Sequence, residues 1–225
     1  MPGITLLYIP SEQIMRYVSD HPIDWDKREL AKRNGPGDQA GVTPTPAVEE
    51  FLRLLIERRE LFTQRDYMYH CWGQWRDWIT PKPTIQKQGV RAKLYRNFYP
   101  SMIDSLYVWA LLVETGMFDT CVLNSTEDAI GKTDLIVTSG EREIRLALIG
   151  PTEESSRDRI YKLTHRSASS LDMDCIEVVL SRDYPMSPGN KRWYRRQDVM
   201  QAILQPAPAP RILRDTPVNY MTESN

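Results

Sequence analysis

The chain has 225 residues, of which 41% are hydrophobic and 26% are charged, as in a globular protein. Its 29 Lys and Arg nearly balance its 30 Asp and Glu, so any nucleic-acid binding must come from local patches of positive charge. The three cysteines, Cys71, Cys121 and Cys175, lie far apart without a CxxC spacing, which argues against a zinc motif or a disulfide framework and favours a reducing cytoplasm. No apolar run approaches the roughly 20 residues of a membrane helix, and the start lacks a signal-peptide pattern, so we expect a cytoplasmic protein that enters no membrane.

Residues 1–97 are predicted to form a helical N-terminal lobe. Near its start, Ser11 can cap a short helix. Residues 34–46 contain three glycines and three prolines, which predicts a flexible linker without regular structure. A second block of apolar residues with helical spacing follows, with a break near Thr63 and a stop at Pro81.

Three tryptophans in this second block, Trp72, Trp75 and Trp78, lie at i, i+3 and i+6 and predict one aromatic ridge on a helix. The ridge either packs the helical lobe onto the next domain, or stacks on nucleic-acid bases, or binds a protein partner. His70 beside Cys71 belongs to the same aromatic block, and we interpret the pair as core rather than as a catalytic dyad.

A basic stretch follows the prolines, over residues 84–96. Five cations lie in or just before it, without a nearby glutamate: Lys82, Lys87, Arg91, Lys93 and Arg96. The stretch is either a solvated connector or a segment that faces phosphates.

Residues 98–205 are predicted to form an α/β domain with a small mixed central sheet flanked by helices. An apolar helix over 100–114 ends at Gly116, since glycine tolerates the positive φ that often follows a helix. Three strands, a helix, a fourth strand and a last helix are then predicted over 120–124, 134–138, 144–149, 154–169, 175–181 and 197–205. The Pro-containing residues 206–225 are predicted to be an extended tail.

This order of elements, with Gly116-Met117-Phe118-Asp119 between the first helix and the first strand, resembles the restriction-endonuclease-like, or PD-(D/E)XK, superfamily over about half of the chain. The resemblance implies cleavage of DNA with Mg²⁺ held by carboxylates, and a lysine that positions the attacking water. It also implies candidate residues. Asp134, at the head of the second strand, and Asp104, on the first helix, are the candidate metal ligands and catalytic acids, with Glu114 as the weaker alternative to Asp104. Lys132 is the candidate for a relocated catalytic lysine.

The third predicted strand departs from the pattern of that superfamily. Ala147 and Ile149 stand where the family has its acid and its lysine, and a shift of one residue places Leu146 and Leu148 there instead. None of these side chains can bind a metal or donate to a phosphate. The sequence therefore predicts a degenerate site, unless neighbouring residues supply the missing groups.

A second basic cluster precedes the last predicted helix. Lys191, Arg192, Trp193, Arg195 and Arg196 combine cations that neutralise phosphates with an aromatic ring that stacks on bases, so we predict a nucleic-acid contact here. In the alternative interpretation, Trp193 packs on the core and the arginines are merely solvated.

Three functional hypotheses follow. We favour a nucleic-acid-associated protein on a nuclease-like fold that binds DNA or assembles a complex without cutting. The first alternative is an active Mg²⁺-dependent DNA endonuclease of the transposon-end or repair type with relocated catalytic residues. The second is a structural or assembly subunit without a nucleic-acid role, which would bind a protein partner through the three tryptophans.

Overall fold

The computed structural model describes residues 8–24, 32, 35–123, 134–149, 175–179 and 201. Its helices are α1 (Ser11–Asp20), α2 (Pro36–Gln39), α3 (Pro44–Arg58), α4 (Gln64–Gln74), α5 (Arg76–Ile79), α6 (Thr84–Lys93) and α7 (Tyr99–Thr115), with a π-helical segment, Leu94–Phe98, between α6 and α7. Its strands are β1 (Thr120–Leu123), β2 (Leu135–Ser139), β3 (Arg142–Ile149) and β4 (Cys175–Val179). The predicted mixture of helices and strands is confirmed. In the described part of the chain, no helix is both long enough and apolar enough to cross a membrane.

Helix α1 is anchored by a residue that lies far away in the sequence. The prediction that Ser11 caps α1 is wrong, because Pro10 occupies the N-cap position. The Ser11 backbone N–H and hydroxyl instead donate to the two carboxylate oxygens of Glu114, each at 2.7 Å. A carboxylate from the end of α7 therefore accepts hydrogen bonds from the start of α1, where the helix dipole also favours negative charge.

The Gly- and Pro-rich residues 34–46 are not a structureless linker. Within them lie helix α2 and the start of α3, and Ala40 and Val42 are buried. Pro44 begins α3 because a proline at the first helical position loses no hydrogen bond and its fixed φ suits a helix. The two apolar side chains then hold the segment against the core, which composition alone does not reveal.

The predicted break near Thr63 is confirmed by a capping box. Asp66 donates its backbone N–H to Thr63 Oγ1 at 3.1 Å, and the Thr63 backbone N–H donates to Asp66 Oδ2 at 3.1 Å. These reciprocal bonds satisfy two donors at the start of α4. The cap and its hydrogen bonds hold the pKa of the Asp66 carboxyl below its usual value, although burial alone would raise it.

Residues 84–115 form one helical run, in which a π-helical segment joins α6 to α7. The connector predicted over 84–96 is therefore helical. Pro100, in the first turn of α7, has no backbone N–H to donate, which favours a widened turn just before it. The domain boundary predicted between residues 97 and 98 lies inside this run, and buried residues on both sides belong to the same hydrophobic core.

Four aromatic rings lie at the centre of the helical core. The centroid of the Phe51 ring lies 4.9, 5.7 and 5.9 Å from those of Phe62, Tyr67 and Tyr99. Tyr67 donates its hydroxyl to the Ala47 carbonyl at 2.8 Å, and Tyr99 donates to the Phe62 carbonyl. Both tyrosines are buried, and burial raises the pKa of each well above the usual value. The cluster thus buries large apolar rings while satisfying their polar ends.

The strands form one mixed sheet in the order β1-β2-β3-β4. Strands β1, β2 and β3 pair antiparallel, and β3 pairs with β4 in parallel. Alternate residues of β2 and β3 are buried on one face: Leu135, Val137, Ile144 and Leu146. Trp109 of α7 ties this sheet to the helices, because its indole N–H donates to the Cys121 carbonyl of β1 at 2.8 Å.

Candidate functional site

Asp134 lies immediately before β2 and is bonded to β3. Its backbone N–H donates to the Leu146 carbonyl at 2.9 Å, and its Oδ2 accepts from the Leu148 backbone N–H at 2.6 Å. The carboxylate thus acts as an acceptor for the backbone of β3 at the end of the β2-β3 ladder. This role is structural and needs no metal.

The neighbouring positions of β3 add no ligand to Asp134. Leu146 is fully buried, and Leu148 packs against the core. Ala147 and Ile149, at the positions of the family's acid and lysine, carry no metal-binding or proton-donating group. In both registers considered from the sequence, β3 therefore lacks the acid and the lysine.

The two candidate acids of the first helix play different parts. Asp104 is half-buried on α7, whereas the Glu114 carboxylate accepts from Ser11 and from the Tyr8 hydroxyl. Glu114 lies ten positions after Asp104, which corresponds to roughly 15 Å along a helix, so the two cannot substitute for each other at one point. Glu114 serves to hold α1.

The residues present do not fit the magnesium site that the resemblance implies. Magnesium requires several oxygen ligands in a near-octahedral arrangement. Within 8–24, 35–123 and 134–149, no group of three or more His, Cys, Asp or Glu side chains could hold a metal ion. One oxygen of Asp134 is already engaged by a backbone N–H. Lys132, the candidate lysine, lies outside the described residues, as do Lys191, Arg192, Trp193, Arg195 and Arg196.

His70 and Cys71 do not form a catalytic dyad. The His70 Nε2 lies 2.8 Å from Glu50 Oε2, a carboxylate that also accepts from Arg53. The Cys71 thiol is fully buried, and burial raises its pKa to about 12, so it stays protonated near neutral pH. The interpretation as core is confirmed for Cys71, whereas His70 is half-buried and pairs with Glu50.

The predicted tryptophan ridge is interrupted, because α4 ends at Gln74 and α5 begins at Arg76. Trp75 lies between these helices and packs edge-to-face on Trp78, with ring centroids 6.1 Å apart. Trp72 is half-buried, whereas Trp78 is 39% exposed. The three rings therefore do not form one continuous helical ridge.

The sequence did not predict that a cation lies over the face of two of these rings. The Arg91 guanidinium lies 4.4 Å from the centroid of the Trp72 ring, and the Lys82 Nζ lies 3.9 Å from that of Trp78. Both distances are within the range of cation–π attraction. The signal that could have suggested it is the placement of a basic stretch directly after the tryptophan block.

The bond from Leu148 to Asp134 leads to a stability prediction. Asp134→Ala is expected to lower the free energy of unfolding by about 1 kcal/mol, because a part-buried N–H loses its acceptor. Asp134→Asn keeps an acceptor oxygen and is expected to lose less. Urea unfolding of the three proteins measures the difference. Equal losses in the two variants would show that the carboxylate does not act as a hydrogen-bond acceptor for β3.

Comparison of the chain with protein families, with characterised proteins and with solved structures finds no significant match.

Proposed function

We propose that this chain is a nucleic-acid-associated protein built on a nuclease-like fold, and that a degenerate metal site leaves it to bind DNA or assemble a complex without cutting. The order of elements carries the proposal. Helix α7 leads into the antiparallel meander β1-β2-β3, and β4 pairs in parallel with β3. This order resembles the PD-(D/E)XK core, including the position of Asp134 at the head of the second strand.

The surroundings of Asp134 support the absence of cutting. A catalytic carboxylate of this kind needs a second acid and a lysine on the adjacent strand, and β3 offers alanine and isoleucine at those positions. The Asp134 carboxylate bonds the β3 backbone instead. The order of helices and strands thus resembles a nuclease, whereas Asp134 at its centre serves as a hydrogen-bond acceptor between two strands.

Local basic charge supports the binding part of the proposal. The whole chain has a formal net charge of −1, so binding to a polyanion requires cations that are grouped together. Two such groups occur in the sequence, over residues 82–96 and over residues 191–196. Nucleic acid would be held mainly through its phosphates, and its affinity would fall as salt rises.

The test is a salt titration of DNA binding, followed by fluorescence anisotropy of a labelled duplex. The variant has Lys191, Arg192, Arg195 and Arg196 all changed to alanine. The wild-type chain is expected to bind at low salt. The quadruple variant is expected to have a salt slope shallower by about 3.6, because each of the four lost phosphate contacts on B-DNA removes roughly 0.9 from the slope.

No DNA binding by the wild-type chain at low salt would overturn the proposal and favour an assembly subunit. An unchanged slope in the quadruple variant would remove residues 191–196 from the interface. Cleavage of plasmid in Mg²⁺ or Mn²⁺, abolished by Asp134→Asn, would favour the endonuclease instead. Asn is the sharper substitution here because it preserves the hydrogen bond to Leu148 while removing the charge that a metal needs.

A further inference from the structure

We propose that the outward face of α4, α5 and α6 binds single-stranded nucleic acid, with its cations on the phosphates and its aromatic rings against the bases. This inference rests on the proposed function and names a contact surface for it. We call this surface the aromatic–basic face, and it consists of Tyr69, Trp72, Trp78, Lys82, Lys87 and Arg91.

One side of α4 supplies the first row of the aromatic–basic face. Arg65, Tyr69 and Trp72 follow one another at i, i+4 and i+7 within α4, a spacing that places them on one side of the helix. The Arg65 guanidinium lies 5.4 Å from the Tyr69 ring centroid, and Tyr69 is 55% exposed. The outward side of α4 thus presents a cation beside two aromatic rings.

Helix α6 supplies the second row. Arg91 lies over Trp72, and Lys87 precedes Arg91 by one turn, so both cations are on the same side of α6. Lys82, just before α6, lies over Trp78. The cation–π contacts therefore join the two rows into one surface and orient the cations next to partly exposed rings.

The stretch of sequence that supplies this surface carries more positive charge than the rest of the chain. From residue 67 to residue 103 the sequence contains six Lys and Arg and a single acid, Asp77. Two of the six cations are used internally: Lys93 is buried, and Arg96 pairs with Asp24 at 2.6 Å.

Three of the other four cations lie in or just before α6. Within the described residues, Lys82, Lys87 and Arg91 form no ion pair with a carboxylate. A polyanion thus finds cations whose charge is not already neutralised.

The chemistry favours a single strand over a duplex. Bases of a single strand are free to stack on aromatic side chains, whereas those of a duplex are stacked on one another. Trp78 and Tyr69 offer such rings, because they are 39% and 55% exposed. A protein interface of ordinary type would instead be depleted of lysine at its centre.

The experiment compares two charge-matched double variants by anisotropy of a labelled oligonucleotide. Lys87→Gln with Arg91→Gln removes two cations of the aromatic–basic face. Arg16→Gln with Arg59→Gln removes two exposed cations of α1 and the end of α3 and serves as the control. The face variant is expected to have a salt slope lower by about 1.4, because each phosphate contact to a single strand contributes roughly 0.7, whereas the control is expected to keep the wild-type slope.

A second variant tests the aromatic part. Trp78→Ala is expected to bind roughly tenfold more weakly, because one base–ring stack is lost, and Trp78→Phe is expected to recover part of the affinity. Circular dichroism melting of every variant separates lost contacts from lost folding.

The outcomes distinguish this inference from the proposed function. If the wild-type chain binds nucleic acid and the face variants match the control, the inference is overturned while the proposed function stands, and the face is left to a protein partner. If a duplex of equal length competes as well as the single strand, the single-strand assignment is overturned. If the wild-type chain binds neither, both fail.

Discussion

Replacing Phe51 with alanine is expected to lower the free energy of unfolding by about 4 kcal/mol, because a fully buried ring is lost and a cavity is left among rigid neighbours. Phe51 contacts Phe62, Tyr67 and Tyr99, and the last two are held in place by hydroxyl bonds to backbone carbonyls. Those bonds limit how far the rings can move into the space left by Phe51.

Equilibrium urea unfolding measures this loss, and Ile56→Ala is the matched control. Ile56 lies on the same helix, α3, but is 37% exposed, so its truncation is expected to cost about 1 kcal/mol or less. If Phe51→Ala cost no more than Ile56→Ala, the four-ring cluster would not be the centre of the core.

Glu114→Ala is expected to lower the free energy of unfolding by about 2 kcal/mol, the second largest effect. Its carboxylate accepts from the Ser11 backbone N–H and hydroxyl at 2.7 Å and from the Tyr8 hydroxyl at 3.1 Å. Hydrogen bonds to a charged acceptor are stronger than those to a neutral acceptor. Ser11 is also too buried for water to replace these hydrogen bonds fully.

The loss at Glu114 is expected to be concentrated in α1. Hydrogen exchange should show faster exchange over 11–20 in Glu114→Ala, while the protection of α7 changes little. Glu12→Ala, which removes an exposed acid from the first turn of the same helix, is the control. Uniform loss of protection in both helices would mean that Glu114 supports the core as a whole and not the start of α1.

Local features of the fold were predictable because their causes lie within a few residues. The break at Thr63 comes from a capping box whose two members are three residues apart. The end of α7 comes from Gly116, which adopts a φ of 62°, and the β2-β3 turn contains Gly140 with a φ of 61°.

Contacts between distant residues were not predictable in the same way. The partner of Ser11 is 103 positions away, so a serine before an apolar run is easily taken for an ordinary cap. The proline-rich start of α3 is helical because proline suits the first turn of a helix. A count of glycines and prolines cannot distinguish such a helix start from a linker. The arginine over Trp72 comes from another helix, which periodicity along one segment cannot show.

The sequence indicates where the acid of the candidate site lies, but it does not indicate the hydrogen bonds that this acid forms. The sequence places an acid at the head of β2 and apolar residues on β3, as the structure does. What it could not reveal is that Asp134 accepts from the Leu148 N–H, because this bond depends on how the end of β2 meets β3. The bond is the physical reason to interpret Asp134 as structural.

One gel experiment separates binding without cutting from both of its alternatives. End-labelled single-stranded and duplex DNA are incubated with the wild-type chain in Mg²⁺ at low salt, resolved as complexes on a native gel, and recovered and sized on a denaturing gel. Retarded complexes that contain full-length DNA are expected. The absence of any retarded complex, or shortened DNA whose formation requires Asp134, would contradict binding without cutting.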